Sequence, residues 1–212
     1  MSIPRIAWDQ LSSTTKTAVA EHTGPIHSAT TVTGGTNSAI AARLQTAHSG
    51  FFVKGVRVTD PKVIDALTIM AQMPCPELPL KRIDQRWAQF APPSVLPAFK
   101  GDNLLHTDLA PRNILIHDLA HVVDWAWPTR GPAWVDAGIW IVRLIDAGHS
   151  PREAETWGEH LTAWREAPAD AVTAFSNANA AMWDEIAQHE NVQWKKHLAS
   201  SARQWAEYRT SK

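Results

Sequence analysis

The stretch that decides the reading is His106-Thr107-Asp108-Leu109-Ala110-Pro111-Arg112-Asn113-Ile114-Leu115-Ile116, followed by Val122-Val123-Asp124-Trp125. Its pattern is H-x-D-x-x-x-x-N, then an aspartate behind a short apolar run. Phosphoryl transfer requires such a set: one carboxylate near the nucleophilic hydroxyl, with an amide oxygen and a second carboxylate for metal ions. A hairpin between the apolar runs would put Asn113 and Asp124 on neighbouring strand ends, where both can reach one Mg²⁺. Asp108, on the loop before it, would reach the acceptor hydroxyl. Taken singly, Asp108 and Asn113 are ordinary turn residues; the full spacing with apolar flanks is what favours chemistry.

Working outward, the chain before residue 60 reads as strands. Thr30 to Thr33 is β-branched and leads into Gly34-Gly35. Ser38 to Thr46 alternates, His48-Ser49-Gly50 turns, and Phe51 to Val56 is the clearest strand. A short helix over 11–22 precedes them. Pro61 opens a helix with Val63, Ile64, Leu67 and Met70 on one face, ended by Pro74. A second helix is expected over 81–90. Beyond Pro132 the pattern is helical: Asp136 as a cap with Gly148 at the far end, a capping box at Ser150-Pro151-Arg152-Glu153, and one helix carrying Trp157, Leu161 and Trp164. Pro168 and Trp194 mark two more helices. The 11 Trp stand against one Tyr, and most lie at helical core spacing, where packing accounts for them.

The segment 101–148 resembles the aminoglycoside phosphotransferase and choline-kinase-like superfamily, whose fold is related to protein kinases. The likeness rests on His106 to Ile116, on Val123-Asp124-Trp125, and on Gly131-Pro132-Ala133-Trp134-Val135-Asp136. It extends to Thr33-Gly34-Gly35-Thr36-Asn37-Ser38 and to Lys54 on the third strand. The resemblance implies an α+β, protein-kinase-like fold, with a reduced antiparallel sheet lobe over 1–60 and a mainly helical catalytic lobe over 61–212. It implies Asp108 as catalytic base, His106 and Asp136 as supports of the catalytic loop, and Asn113 and Asp124 as Mg²⁺ ligands. Gly34, Gly35 and Lys54 would contact the phosphates of ATP or GTP. The implied reaction moves the γ-phosphoryl group to a hydroxyl of an aminoglycoside-like or other small substrate.

The interval from Lys54 to His106 is short for such a fold. Three helices and two strands of ordinary length need about 47 residues before connectors, and connectors add about 20–30 more. No Glu occurs between Val56 and Cys75 to pair with Lys54; Asp60 and Asp65 are the only carboxylates there, with Asp65 on the 61–73 helix the substitute candidate. A block holding the Glu helix, further strands and the adenine-contacting hinge is therefore expected to be missing. That predicts impaired turnover or, alternatively, a catalytically inactive kinase-like binding or regulatory protein.

Composition excludes other classes. A formal net charge of -1 gives no electrostatic argument for nucleic acid or an anionic membrane. The single Cys75 excludes an internal disulfide, and the 10 His are scattered with no H-E-x-x-H. The apolar stretch Trp134 to Ala147 is broken by Asp136, Arg143 and Asp146, so no membrane span is expected. Met1 to Gln10 lacks an apolar run, which makes the cytoplasm the expected location. For the acceptor, Glu155, Glu159, Asp170, Asp184 and Glu185 are interspersed with Arg152, Arg165, Lys195, Lys196 and Arg203, so no acidic bias emerges. Oligomeric state is open.

Overall fold

The computed structural model describes residues 6–33, 39–55, 59–116 and 118–212. The glycine turn Gly34-Gly35 and the end of the third strand at Val56 lie outside these residues. The architecture is α+β, a small antiparallel sheet region followed by a mostly helical remainder.

Helix α1 (Ser13–Thr23) starts where Ser12 Oγ accepts from the Thr15 N–H at 3.1 Å and stops at Gly24, whose φ of 81° suits glycine. Strands β1 (Ile26–Thr31), β2 (Ile40–Thr46) and β3 (Gly50–Gly55) form an antiparallel sheet in chain order. The central strand buries Ile40, Ala41, Ala42 and Leu44, whereas Phe52 on β3 is exposed. The sheet's buried residues are not part of the large apolar core, which runs from Val63 to Ala206.

Asp60 caps α2 (Pro61–Met70) through the Lys62 N–H at 3.0 Å, and Val63, Leu67 and Met70 face the core. The helix expected over 81–90 is a single turn, α3 (Ile83–Arg86). Trp87 follows it into full burial, and Pro92-Pro93 prevent any restart. Strand β4 (Asn103–Leu105) pairs with β7 (Thr129–Gly131), and β5 (Ile114–Ile116) with β6 (Ala120–Val122). The β7 strand has no signal in sequence because it is three residues long. It needs a glycine: a Cβ on Gly131 would lie 2.3 Å from Ile83 Cγ1 and 2.8 Å from Leu105 Cδ1.

Helix α4 (Trp134–Asp146) is buried on every side from Trp134 to Ile145, which makes it the axis of the helical region. Ala133, not Asp136, is its N-cap residue. The one helix expected through Trp157, Leu161 and Trp164 is two, α5 (Pro151–Gly158) and α6 (Thr162–Arg165). Gly158 allows the break, since a Cβ there would stand 3.0 Å from the Trp164 ring. Helices α7 (Ala169–His189) and α8 (Gln193–Thr210) pack on each other and on α4. Phe175 centres the core, with the rings of Trp87, Phe99, Trp134 and Trp205 at 5.3, 5.9, 5.6 and 6.5 Å.

Candidate active site

Strand β4 delivers the chain into His106, which is fully buried. Thr107 then takes a φ of 61°, a left-handed conformation that a β-branched residue adopts only under constraint. The constraint is Asp136. Its carboxylate accepts the His106 N–H at 2.8 Å and the Thr107 N–H at 2.9 Å. Two bonds to one carboxylate fix both peptide planes. Burial pushes the Asp136 carboxyl above its ordinary range, and the two backbone bonds offset part of that.

Arg86, from α3, grips the same turn from the other side. Its Nη1 donates to Thr107 Oγ1 at 2.6 Å, to Thr129 Oγ1 at 2.5 Å and to the Trp127 carbonyl at 3.1 Å. All three acceptors are neutral. Burial lowers the Arg86 pKa, and Asp136 acts against that.

The His106 ring has a defined tautomer. Nε2 lies 3.0 Å from the Val123 carbonyl, which can only accept, so Nε2 carries the proton. Nδ1 therefore accepts the Asp108 N–H at 3.2 Å. Both nitrogens are used, so His106 joins the 106–113 loop to the segment that bears Asp124. The Trp125 ring packs edge-on against it at 4.8 Å.

The β5–β6 hairpin brings Asn113 and Asp124 to adjacent ends. Ile114 pairs with Val122, and the Val123 N–H donates to the Asn113 carbonyl at 2.9 Å. Asp124 is exposed with a φ of 63°. Its carboxylate has no hydrogen bond or ion pair among the described residues. Asn113 Nδ2 donates to the Asp108 carbonyl at 2.9 Å and to Asp108 Oδ2 at 3.1 Å. Its amide oxygen accepts no hydrogen bond among the described residues. One amide oxygen and one open carboxylate are hard oxygen donors that fit Mg²⁺, an ion that takes few protein ligands and completes its shell with water and phosphate. Among the described residues no group of three or more His, Cys, Asp or Glu is placed to hold a metal alone.

Two cations that the sequence reading did not assign complete the site. Arg143 Nη2 donates to Asp108 Oδ1 at 3.1 Å, and Arg112 Nη2 approaches Asp108 Oδ2 at 3.4 Å. Arg143 is only 7% exposed; burial lowers its pKa, while Asp108 and Asp146 raise it. The signal for Arg143 is present in the sequence, as a lone arginine inside the apolar run Ile141-Val142-Arg143-Leu144. A charge at that position of a buried helix needs a carboxylate partner.

Lys54 lies on the third strand. It is exposed on β3, opposite Ala41, with Nζ 5.6 Å from the Phe52 ring centroid. No hydrogen bond or ion pair joins it to Asp108, Asn113 or Asp124. Asp65 is exposed on α2 and makes no ion pair with Lys54. The structure thus brings together Asp108, His106, Asn113 and the Asp124 segment, and among the described residues no hydrogen bond or ion pair joins Lys54 to them. Gly34 and Gly35 lie outside the described residues.

Asp108 also lines a cavity of about 350 Å³ between the 106–113 loop and helices α4, α7 and α8. No family model matches the chain, and neither the curated proteins nor the solved structures give a match. No helix among the described residues is long and apolar enough to cross a membrane.

Proposed function

We propose that the chain is a small-molecule kinase homologue of the protein-kinase-like fold, which moves the γ-phosphoryl group of ATP or GTP to a hydroxyl. The observation that carries this reading is the position of Asp108. Its loop holds Asn113 beside the Asp124 strand end, while the same residue lines a cavity large enough for a small substrate.

In this reading Asp108 accepts the proton of a hydroxyl that enters the cavity as its oxygen attacks phosphorus. Arg143 and Asn113 hold one carboxylate oxygen each, which aims the group. His106 and Asp136 hold the loop through backbone N–H groups and act by position alone. Asn113 and Asp124 would hold Mg²⁺, which when bound neutralises charge on the phosphates. Lys54 makes no ion pair with a carboxylate among the described residues, so nothing there aims it at a nucleotide, and the reading expects slow turnover.

A second reading, an inactive kinase-like binding or regulatory protein, is favoured by the ion pairs on Asp108. Both its oxygens are engaged by cations, at 3.1 and 3.4 Å. The two readings separate on γ-phosphoryl loss from ATP, measured with wild type and Asp108→Asn at equal MgATP occupancy. The kinase reading expects the variant to fall by about 10²–10⁴-fold, the usual contribution of a positioned base. Equal turnover would remove Asp108 as the base.

A further inference from the structure

The cavity beside Asp108 carries information about its ligand that the sequence does not. Six charged side chains line it: Arg86, Arg112, Arg143 and Lys195 against Asp108 and Glu190. Both carboxylates are already paired, Asp108 with Arg143 and Arg112, and the exposed Glu190 with Lys195. The cations on the wall outnumber the carboxylates on it four to two. Asp136 facing Arg86 and Asp146 facing Arg143 offset part of that excess, while Arg112 has only its share of Asp108. Arg112 is 63% exposed and only loosely bonded, so it can turn toward a ligand anion without breaking a buried contact.

The remaining wall is apolar. Trp127, Trp183 and Trp194 line the cavity together with Met182, Ile186 and the buried Trp87. Trp127 is 60% exposed, and the Arg86 guanidinium lies 5.6 Å from its ring centroid. Exposed indole favours planar ligands.

We infer that this cavity takes a planar, apolar-bodied hydroxyl compound bearing a carboxylate or similar anion, and that it rejects polycationic amino sugars. The inference rests on the reading of Asp108 as the group that faces the acceptor. A guanidinium is well suited to the anion because it presents a fork of donors to two oxygens at once. A polyamine would meet four cations and no free carboxylate.

The test uses a pair of probes matched in shape and opposite in charge, 4-hydroxyphenylacetate and tyramine, with kanamycin as the polycation. Each is titrated calorimetrically into the full chain without nucleotide. The anion is expected to bind at least about tenfold tighter than tyramine, a margin typical of one charge-assisted pair. Arg112→Gln should remove most of that margin and leave tyramine binding unchanged or stronger. Equal or tighter binding of tyramine or kanamycin overturns the inference, as does an anion that fails to bind at about 10 mM, weaker than any useful site. Since no nucleotide is present, failed MgATP binding leaves this result standing. Failure here leaves the nucleotide reading standing.

Discussion

Replacement of Asp136 removes the acceptor that holds the His106-Thr107 turn. In Asp136→Ala the His106 and Thr107 N–H groups, bonded at 2.8 and 2.9 Å, lose their partner inside a helix-covered site where water cannot replace it. Each orphaned N–H costs about 1–3 kcal/mol, a gross loss of about 2–6 kcal/mol. Two effects oppose it. The buried charge is gone, and Thr107 is released from a backbone strain of about 1–3 kcal/mol. The net loss should be about 2–3 kcal/mol for Ala. Asp136→Asn keeps one acceptor oxygen and should lose about half as much. For a chain of this length each kcal/mol shifts Tm by about 2–4 °C, so the alanine variant should melt about 4–12 °C lower. Tryptophan emission during thermal and urea unfolding reads both values. A pH series adds the sign. Burial holds the native Asp136 carboxyl above its ordinary value, so the folded chain binds that proton more tightly than the unfolded one. Wild type should therefore lose stability relative to Asp136→Asn as pH rises from 3.8 through the native value. An alanine variant as stable as wild type, or a margin that grows with pH, would refute the reasoning.

Two further substitutions test the packing that positions the site. Phe175→Ala empties the centre of four aromatic neighbours and should cost about 3–5 kcal/mol, read from urea unfolding; a loss below about 1 kcal/mol would mean that the ring cluster collapses freely. Gly131→Ala forces a methyl into Ile83 and Leu105, both fully buried, and should cost about 1–3 kcal/mol by the same measurement. A neutral result there would show that β7 can withdraw from β4 without consequence.

How far the sequence could be read depended on the range of the interactions involved. Asn113 and Asp124 were legible as neighbours because a short hairpin is local, and the apolar runs on either side set its register. The α2 boundaries were legible for the same reason, from Asp60-Pro61 at one end and Pro74 beyond the other. Asp136 was legible only in part. Its place at the head of α4 can be read, and the residue pattern alone made it a helix cap, whereas the likeness to kinases gave it a loop to support. Its carboxylate does hold a loop 29 and 30 residues earlier, and no periodicity encodes such a contact. The single-turn α3 and the division at Gly158 follow from crowding by Trp87 and Trp164, side chains whose destinations depend on the assembled core. Arg86, Arg112 and Arg143 converge from α3, the 106–113 loop and α4. Arg112 and Arg143 meet on Asp108 and Arg86 on the neighbouring Thr107; these are tertiary contacts, although a lone arginine in a buried helix pattern already announces a buried partner.

The central claim is that Asn113 and Asp124 present a metal–nucleotide site next to Asp108. The most direct measurement is the Tm of wild type and of Asp124→Asn in millimolar ATP with and without Mg²⁺. Ligand at a hundred times its Kd stabilises by about 2.7 kcal/mol, and at ten times by about half that. Wild type is predicted to melt at least about 2 °C higher with MgATP than with ATP alone, and Asp124→Asn is predicted to lose that increment. No Mg²⁺-dependent shift in wild type, or an equal shift in the variant, would contradict the account.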